Sequence, residues 1–276
     1  MGRPLRIGHS PDPDDAFMVW ALAEGRVATP GWDVTLVPQD IQGLNVRARL
    51  GELEITAVSA GAFPKVADRY ALLATGSSFG RRYGPIVVAG HPANAAWLKG
   101  RRIAVPGEDT SAFLLLNLAL EGYTPVQADF TAIMGMVRSG EVDAGLLIHE
   151  GQLTYAREGL HKALDLGAWW AQSTGLPLPL GLNAVRRDLG PEAMASAARV
   201  FRASVDEGLA HEAEAVAYAL KFGRGLDTET GTRFVRQYVN QDSLDIRGEC
   251  LEALALLYRQ AMERGLLAAL PDLSVF

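Results

Sequence analysis

The chain has 276 residues, 49% of them apolar, which is enough to bury the core of two modest α/β lobes or one large domain and excludes disorder. Its 26 basic and 32 acidic side chains leave a formal charge of -6, without the basic footprint that a phosphate backbone requires, so no nucleic-acid partner is expected. Apolar runs such as 112–120, broken by Asn117, fall short of the roughly 20 residues that span a bilayer, so no membrane partner is expected either.

The first residues bring His9, Asp12, Asp14 and Asp15 so early that no apolar secretion signal fits, and a cytoplasmic protein is expected. Leu5 to Gly8 reads as a short buried strand, followed by a helix over Asp14 to Ala23 with Phe17, Trp20 and Leu22 on its apolar face. Asp33 to Val37 alternates like a second strand, Leu44 to Leu50 has helical spacing, and Glu54 to Ser59 is a third strand that ends in small residues. The order then recurs: strand at Arg101 to Val105, helix at Thr110 to Leu120, strand at Gln127 to Phe130, helix at Ile133 to Val137, strand at Asp143 to Ile148. Repeated βα units imply largely parallel sheets. Two short echoes tie the halves together. Arg6-Ile7 precedes Ala16-Phe17 by ten residues, as Arg102-Ile103 precedes Ala112-Phe113, and Gly51-Glu52-Leu53-Glu54 matches Gly140-Glu141-Val142-Asp143 before the third strand of each half.

Between the halves lies the apolar strand Gly84 to Gly90, and Pro177 to Val185 is a second of that kind, so the pair reads as a two-strand hinge. Lobe one is then expected to comprise 1–90 and 177–276, and lobe two the inserted 91–176. Helices at Pro191 to Gly208, Glu212 to Phe222, Thr228 to Tyr238 and Arg247 to Gly265 complete lobe one. The single cysteine, Cys250, falls in the last of these and rules out an internal disulfide or a multi-cysteine metal site.

In parallel α/β sheets, ligands bind beyond the carboxyl ends of strands, where helix N-termini offer free N–H groups to anions. After the first strand, Asp14 and Asp15 read as helix caps, whereas Ser10 is expected to turn its hydroxyl toward the cleft. The counterpart loop, Pro106 to Ala112, places Thr110 and Ser111 at a helix start; capping needs only one hydroxyl, so the pair is the expected carboxylate site. The third strands end at Ser59-Ala60-Gly61 and at His149-Glu150-Gly151, and the echo makes Ala60 and His149 equivalent positions facing each other. Small residues leave room for a ligand on one side, and an imidazole of near-neutral pKa reaches in from the other to accept a proton. His9, His91, His161 and His211 read as surface or satisfied core histidines; Glu150 either orients His149 or faces solvent, and Tyr155 is a further cleft candidate. No Gly-x-Ser-x-Gly elbow, Walker loop, Gly-x-Gly-x-x-Gly fingerprint or His-Glu-x-x-His helix is present, so no cofactor or metal is expected.

Four segments line up with one family: His9-Ser10-Pro11-Asp12-Pro13-Asp14-Asp15-Ala16-Phe17, Asp109-Thr110-Ser111-Ala112, Gly145-Leu146-Leu147-Ile148-His149-Glu150, and Asp165-Leu166-Gly167-Ala168-Trp169-Trp170 with Leu176 to Gly181. Over its full length the chain resembles the 1,4-dihydroxy-6-naphthoate synthases of the futalosine route to menaquinone. The resemblance implies the two-lobed, type II periplasmic-binding-protein-like fold, each lobe a mostly parallel sheet flanked by helices. It implies a cofactor-free lyase that converts cyclic dehypoxanthine futalosine, a small-molecule carboxylate, to 1,4-dihydroxy-6-naphthoate. His149 would be the base, and the substrate contacts would fall near Ala57, Val58 and Ser59 and at Thr110 and Ser111. The family often has Ser-Pro-Cys-Pro-Asn-Asp where this chain has Ser-Pro-Asp-Pro-Asp-Asp, and Asp12 is expected to face solvent. The rivals are a non-enzymatic solute-binding protein, for which a signal is missing; the sister enzyme chorismate dehydratase, not expected to carry Leu-Ile-His-Glu; and a regulator's effector domain, for which no helix-turn-helix is present.

Overall fold

The computed structural model describes residues 2–149, 151–222 and 227–276. The first lobe opens with β1 (Arg3–His9), α1 (Pro13–Ala23), β2 (Trp32–Pro38), α2 (Ile41–Leu50), β3 (Ile55–Ser59), β4 (Tyr70–Leu72) and β5 (Ser78–Gly80). The chain then crosses to β6 (Ile86–Ala89), β7 (Arg102–Val105), α3 (Ser111–Ala119), β8 (Thr124–Gln127), α4 (Ile133–Ser139), β9 (Ala144–Leu147), α5 (Gly151–Thr154), β10 (His161–Asp165) and α6 (Leu166–Thr174). It returns with β11 (Leu178–Arg186) and the helices α7 (Pro191–Ala210), α8 (Glu212–Ala219), α9 (Thr228–Tyr238), α10 (Gln241–Leu244) and α11 (Glu249–Glu263).

The two sheets repeat one plan. In the first, the order is β2-β1-β3-β11-β4, and in the second, β8-β7-β9-β6-β10. In each, the first three strands run parallel and the next two antiparallel to their neighbours. Register confirms the echo seen in the sequence. Ile7 lies beside Ile55 and Ile103 beside Ala144, so counting five residues on brings Ala60 and His149 to equivalent places.

The expected hinge is different in kind. Ile86–Ala89 is a full member of the second sheet, between β9 and β10, and Leu178–Arg186 is a full member of the first. Each strand fills the same slot in its own sheet, so the crossings are the short links near Arg81–Pro85 and Gly175–Pro177, and residues 86–90 lie with the second sheet. These links are pinned. Arg81 makes a two-pronged pair with Asp242 of α10 (2.8 and 2.9 Å), and the buried Trp170 indole donates to Pro177 O (3.1 Å). The strand expected at Gln127 to Phe130 lies earlier, at Thr124–Gln127, an edge position where Pro125 needs no ladder donor.

One apolar cluster runs unbroken from β3, β4 and β11 through α11 into α3 and the core of the second lobe, with Tyr258, Trp170 and Leu115 fully buried in it. A second cluster fills the other face of the first sheet under α1, α7, α8 and α9. Inside the first lobe, Glu54 is buried and bound by Arg6 through Nε (2.9 Å) and Nη2 (2.7 Å) and by Arg186 at 3.3 Å, which ties β1, β3 and β11 together. Burial works to raise the pKa of Glu54, but the hydrogen bonds and charge of Arg6 outweigh it and hold the group below its ordinary value.

Candidate functional site

The lobes enclose a cleft with about 750 Å³ of empty volume counted out to its open mouth, within the range that holds small organic ligands. Part of its wall comes from the places that strand-end reasoning selects: the β1–α1 loop, the end of β3, the start of α3 and the end of β9; the middle of β11, the stretch from Gly76 to Pro85, Ile41, and Gln152, Phe234 and Tyr238 from α5 and α9 complete it.

His149 lines the cleft two residues beyond β9. Its backbone sits at φ 52°, a left-handed conformation that few non-glycine residues adopt and that histidine tolerates better than most. Gln152 supports that turn: its amide oxygen accepts from His149 N–H (3.2 Å), while its amide nitrogen donates to Gly84 O (2.6 Å) and Tyr238 OH (3.3 Å). The imidazole packs against the Phe130 ring at 5.2 Å between centroids, and its Nδ1 lies 3.2 Å from Asp12 Oδ2. Glu150 lies outside the described residues.

Asp12 therefore does not face solvent. It is 2% exposed, lines the cleft, and also accepts a hydrogen bond from the Ser10 hydroxyl on Oδ2. Ser10 reaches the cleft as expected, with its hydroxyl directed at Asp12. The stiff Pro11-Asp12-Pro13 step places Asp12 at the N-cap of α1, yet its side chain makes no capping bond and turns to the second lobe instead. Asp14 and Asp15 do occupy the first turn of α1, but they border the cavity rather than acting only as caps; Asp15 Oδ2 accepts from Ser10 N–H (2.8 Å).

Burial, then the neighbouring charge of Asp12, pushes Asp14 up to about 6, with His149 acting in the opposite sense. Asp15 is raised as well, by burial and then by Asp14. A carboxyl whose folded pKa exceeds its unfolded value binds its proton more tightly when folded, so stability falls as pH rises from about 4 through about 6. Asp14→Asn is expected to stabilise the protein at pH 7.5 by about 2–3 kcal/mol and to have no effect below pH 4. Urea unfolding at the two pH values checks this, and an equal effect at both would remove Asp14 from the titration.

On β3, alternation sends Ala57 and Ser59 into the cleft and Val58 to the opposite face, where it is fully buried in the core. Val58 is thus corrected from a contact to a core residue. Ser59 N–H donates to Asn45 Oδ1 (2.9 Å), and Ser59 Oγ accepts from Asn45 Nδ2 (3.1 Å), which leaves the hydroxyl proton to be offered to a ligand.

Thr110 and Ser111 both line the cleft, but neither hydroxyl is open to a carboxylate. Thr110 Oγ1 donates to Gly107 O (2.8 Å) and caps α3 by accepting from Phe113 N–H (3.2 Å). Ser111 Oγ donates to Leu180 O and accepts from Gly61 N–H (3.2 Å), both in the first lobe. The N–H groups of Ser111 and Ala112, in the first turn of α3, have no acceptor inside the helix. The adjoining Asp109 adds interlobe ties to Arg49 (2.5 Å) and Lys65 (2.6 Å). Tyr155 packs on the core of the second lobe instead of the cleft. His9 is a buried core histidine, its Nδ1 at 2.9 Å from Ser10 O.

Asp12, Phe130, Gln152 and Tyr238 escape a reading by strand ends alone. Only Asp12 carried a signal, an acid beside Ser10 at the end of the first strand.

Two crossed-over α/β lobes around a small-molecule cleft define the periplasmic-binding-protein class of fold. The alkanesulfonate-binding protein SsuA from Xanthomonas axonopodis pv. citri has it too, with a TM-score of 0.73 at 15% identity over 100% of this chain and 99% of that one. A model of a menaquinone biosynthesis family matches residues 5–263. The 1,4-dihydroxy-6-naphtoate synthase of Thermus thermophilus is 45% identical over 269 residues, 97% of each chain, and that of Streptomyces coelicolor is 39% identical over 99% of this chain and 98% of its own. A solved structure of a protein from Archaeoglobus fulgidus superposes with a TM-score of 0.91 at 45% identity, over 96% of this chain and 98% of that one. The chain belongs to the menaquinone biosynthesis family and is an enzyme of that pathway. Among the described residues, no helix is long and apolar enough to cross a membrane.

Proposed function

We propose that the enzyme is a carbon–carbon lyase that converts cyclic dehypoxanthine futalosine to 1,4-dihydroxy-6-naphthoate, with His149 as general base in the interlobe cleft. The observation that carries this reading is His149 itself, held in the cleft wall beside Asp12, whereas its counterpart Ala60 is fully buried in the core and does not face it across the cleft. The two relatives named as naphthoate synthases supply the substrate class.

The imidazole takes the proton of a hydroxyl on the sugar-derived ring. The O–H electron pair becomes a carbonyl, the adjacent carbon–carbon bond breaks, and its electrons pass into the conjugated ring. Loss of the fragment and aromatisation then draw the reaction forward. The substrate carboxylate docks on the Ser111 and Ala112 N–H groups, and the Ser59 hydroxyl donates to it or to a neighbouring oxygen. Interlobe contacts of Ser111 and Asp109 hold the two walls of the cleft against each other.

Purified protein incubated with cyclic dehypoxanthine futalosine should yield the dihydroxynaphthoate, followed by absorbance and mass. Absence of product removes the assignment, and tight binding without turnover marks a solute-binding protein of the same fold.

A further inference from the structure

We infer that Asp12 is a positioning residue that fixes the tautomer of His149, holding the proton on Nδ1 so that Nε2 is the bare nitrogen offered to the substrate. The inference deepens the proposed role of His149 as base and rests on it for its kinetic part.

Three observations converge. Asp12 Oδ2 stands 3.2 Å from His149 Nδ1, and the same oxygen accepts the Ser10 hydroxyl. An oxygen that is already an acceptor presents lone pairs to the imidazole, so an unprotonated Nδ1 would set lone pair against lone pair, while a protonated one completes a hydrogen bond. The neutral ring has one proton to place. Asp12 is 2% exposed, so the carboxylate side of that contact is shielded from bulk water. Finally, the ring has little freedom to turn away: Phe130 packs against it at 66° between planes, and the Gln152 contact holds the backbone at φ 52°. In its neutral form the imidazole is thus oriented as a base before substrate arrives, and the imidazolium formed on proton abstraction keeps Asp12 as its partner.

Asp12 is carried on the β1–α1 loop of one lobe and His149 on the β9 end of the other, so the oriented base exists only while the lobes are together. The open protein would have an imidazole with no fixed tautomer.

The test reads the tautomer directly. Protein labelled with 15N-histidine is observed without substrate, and the His149 signals are assigned by their loss in His149→Gln. Spectra are recorded at a pH high enough to leave the His149 ring neutral, where wild type should carry its proton on Nδ1. In Asp12→Asn the amide can turn its NH2 toward Nδ1, and the proton should move to Nε2. Turnover should then fall by about 10³- to 10⁴-fold, the upper figure being the loss when a comparable carboxylate becomes an amide. The Kd for 1,4-dihydroxy-6-naphthoate should stay within threefold, which also shows that the variant is folded. A wild-type proton on Nε2, or a tautomer unchanged in Asp12→Asn, overturns the inference whatever the substrate proves to be. Altered tautomer with unaltered turnover overturns it too. Failure of the wild type to act on cyclic dehypoxanthine futalosine strikes the proposed function instead, and the spectra still decide the tautomer.

Discussion

His149→Ala is expected to lower turnover of cyclic dehypoxanthine futalosine by about 10³-fold while the Kd for 1,4-dihydroxy-6-naphthoate stays within about tenfold. A general base acts in the transition state and adds little to ground-state binding, and removal of one typically costs 10²–10⁴-fold in rate. The backbone complicates the substitution, because alanine tolerates φ 52° less well than histidine. His149→Asn separates the two effects. Asparagine accepts the left-handed conformation and keeps the local turn, so it should show the same loss of turnover with better retained binding. If turnover and affinity fell together in both variants, His149 would be a binding residue and the base would have to be sought elsewhere, first among Asp12, Asp14, Asp15 and Tyr238, the other titratable groups on the cleft wall among the described residues.

Gly61→Ala is expected to lower kcat/KM by about a hundredfold without touching any group proposed to do chemistry. A Cβ built on Gly61 would sit 2.6 Å from Thr110 O and 3.1 Å from Ser111 N. Both are backbone atoms at the start of α3 in the opposite lobe, and backbone cannot rotate aside as a long side chain can. The methyl must push the lobes apart, which breaks the Gly61 N–H bond to Ser111 Oγ and moves the α3 amides away from the β3 wall. A displacement of about 1 Å in bound geometry is enough for a loss of this size. Overpacking should cost about 1–3 kcal/mol of stability, small enough to leave the protein folded. Gly135→Ala is the control. That glycine lies inside α4 with nothing within 4 Å of its Cβ, so alanine should leave kcat/KM unchanged and slightly raise stability. Small-angle scattering should show a wider interlobe separation only for Gly61→Ala, and steady-state kinetics read the rest. Wild-type kcat/KM in a folded Gly61→Ala would mean that the enzyme works with its lobes further apart than they stand here.

Much of the architecture was legible because each lobe repeats a local pattern. Leu5 to Gly8 and Arg101 to Val105 are apolar runs bounded by loops, the helices after them have apolar faces, and the same order appears twice. Periodicity reports such elements because burial of one face is decided within a few residues of chain. The strands of the crossing were legible as strands but not as members of their sheets. An apolar run says that both faces are covered, and it does not say by which lobe; Ile86–Ala89 and Leu178–Arg186 were settled by pairing to partners far away in the chain. β10 and α6 were missed as elements, and β8 was misplaced, because edge strands such as Thr124–Gln127 alternate weakly and lean on a neighbour for definition.

Part of the cleft wall is written in the chain, because a strand delivers its last residues to the end of the sheet: Ser10, Ser59, Thr110, Ser111 and His149 follow from strand ends and line the cavity, whereas Asp12, Gln152 and Tyr238 do not follow from them. Tertiary structure alone decided what their polar atoms do. The hydroxyls of Thr110 and Ser111 are taken up by Gly107, Phe113, Gly61 and Leu180, which removes them from the expected carboxylate contact. Asp12 turned inward because His149, 137 positions further on, arrives beside it from the other lobe. The direction of one side chain in a loop depends on which donor and acceptor meet it across the cleft, and no pattern within either lobe encodes that meeting.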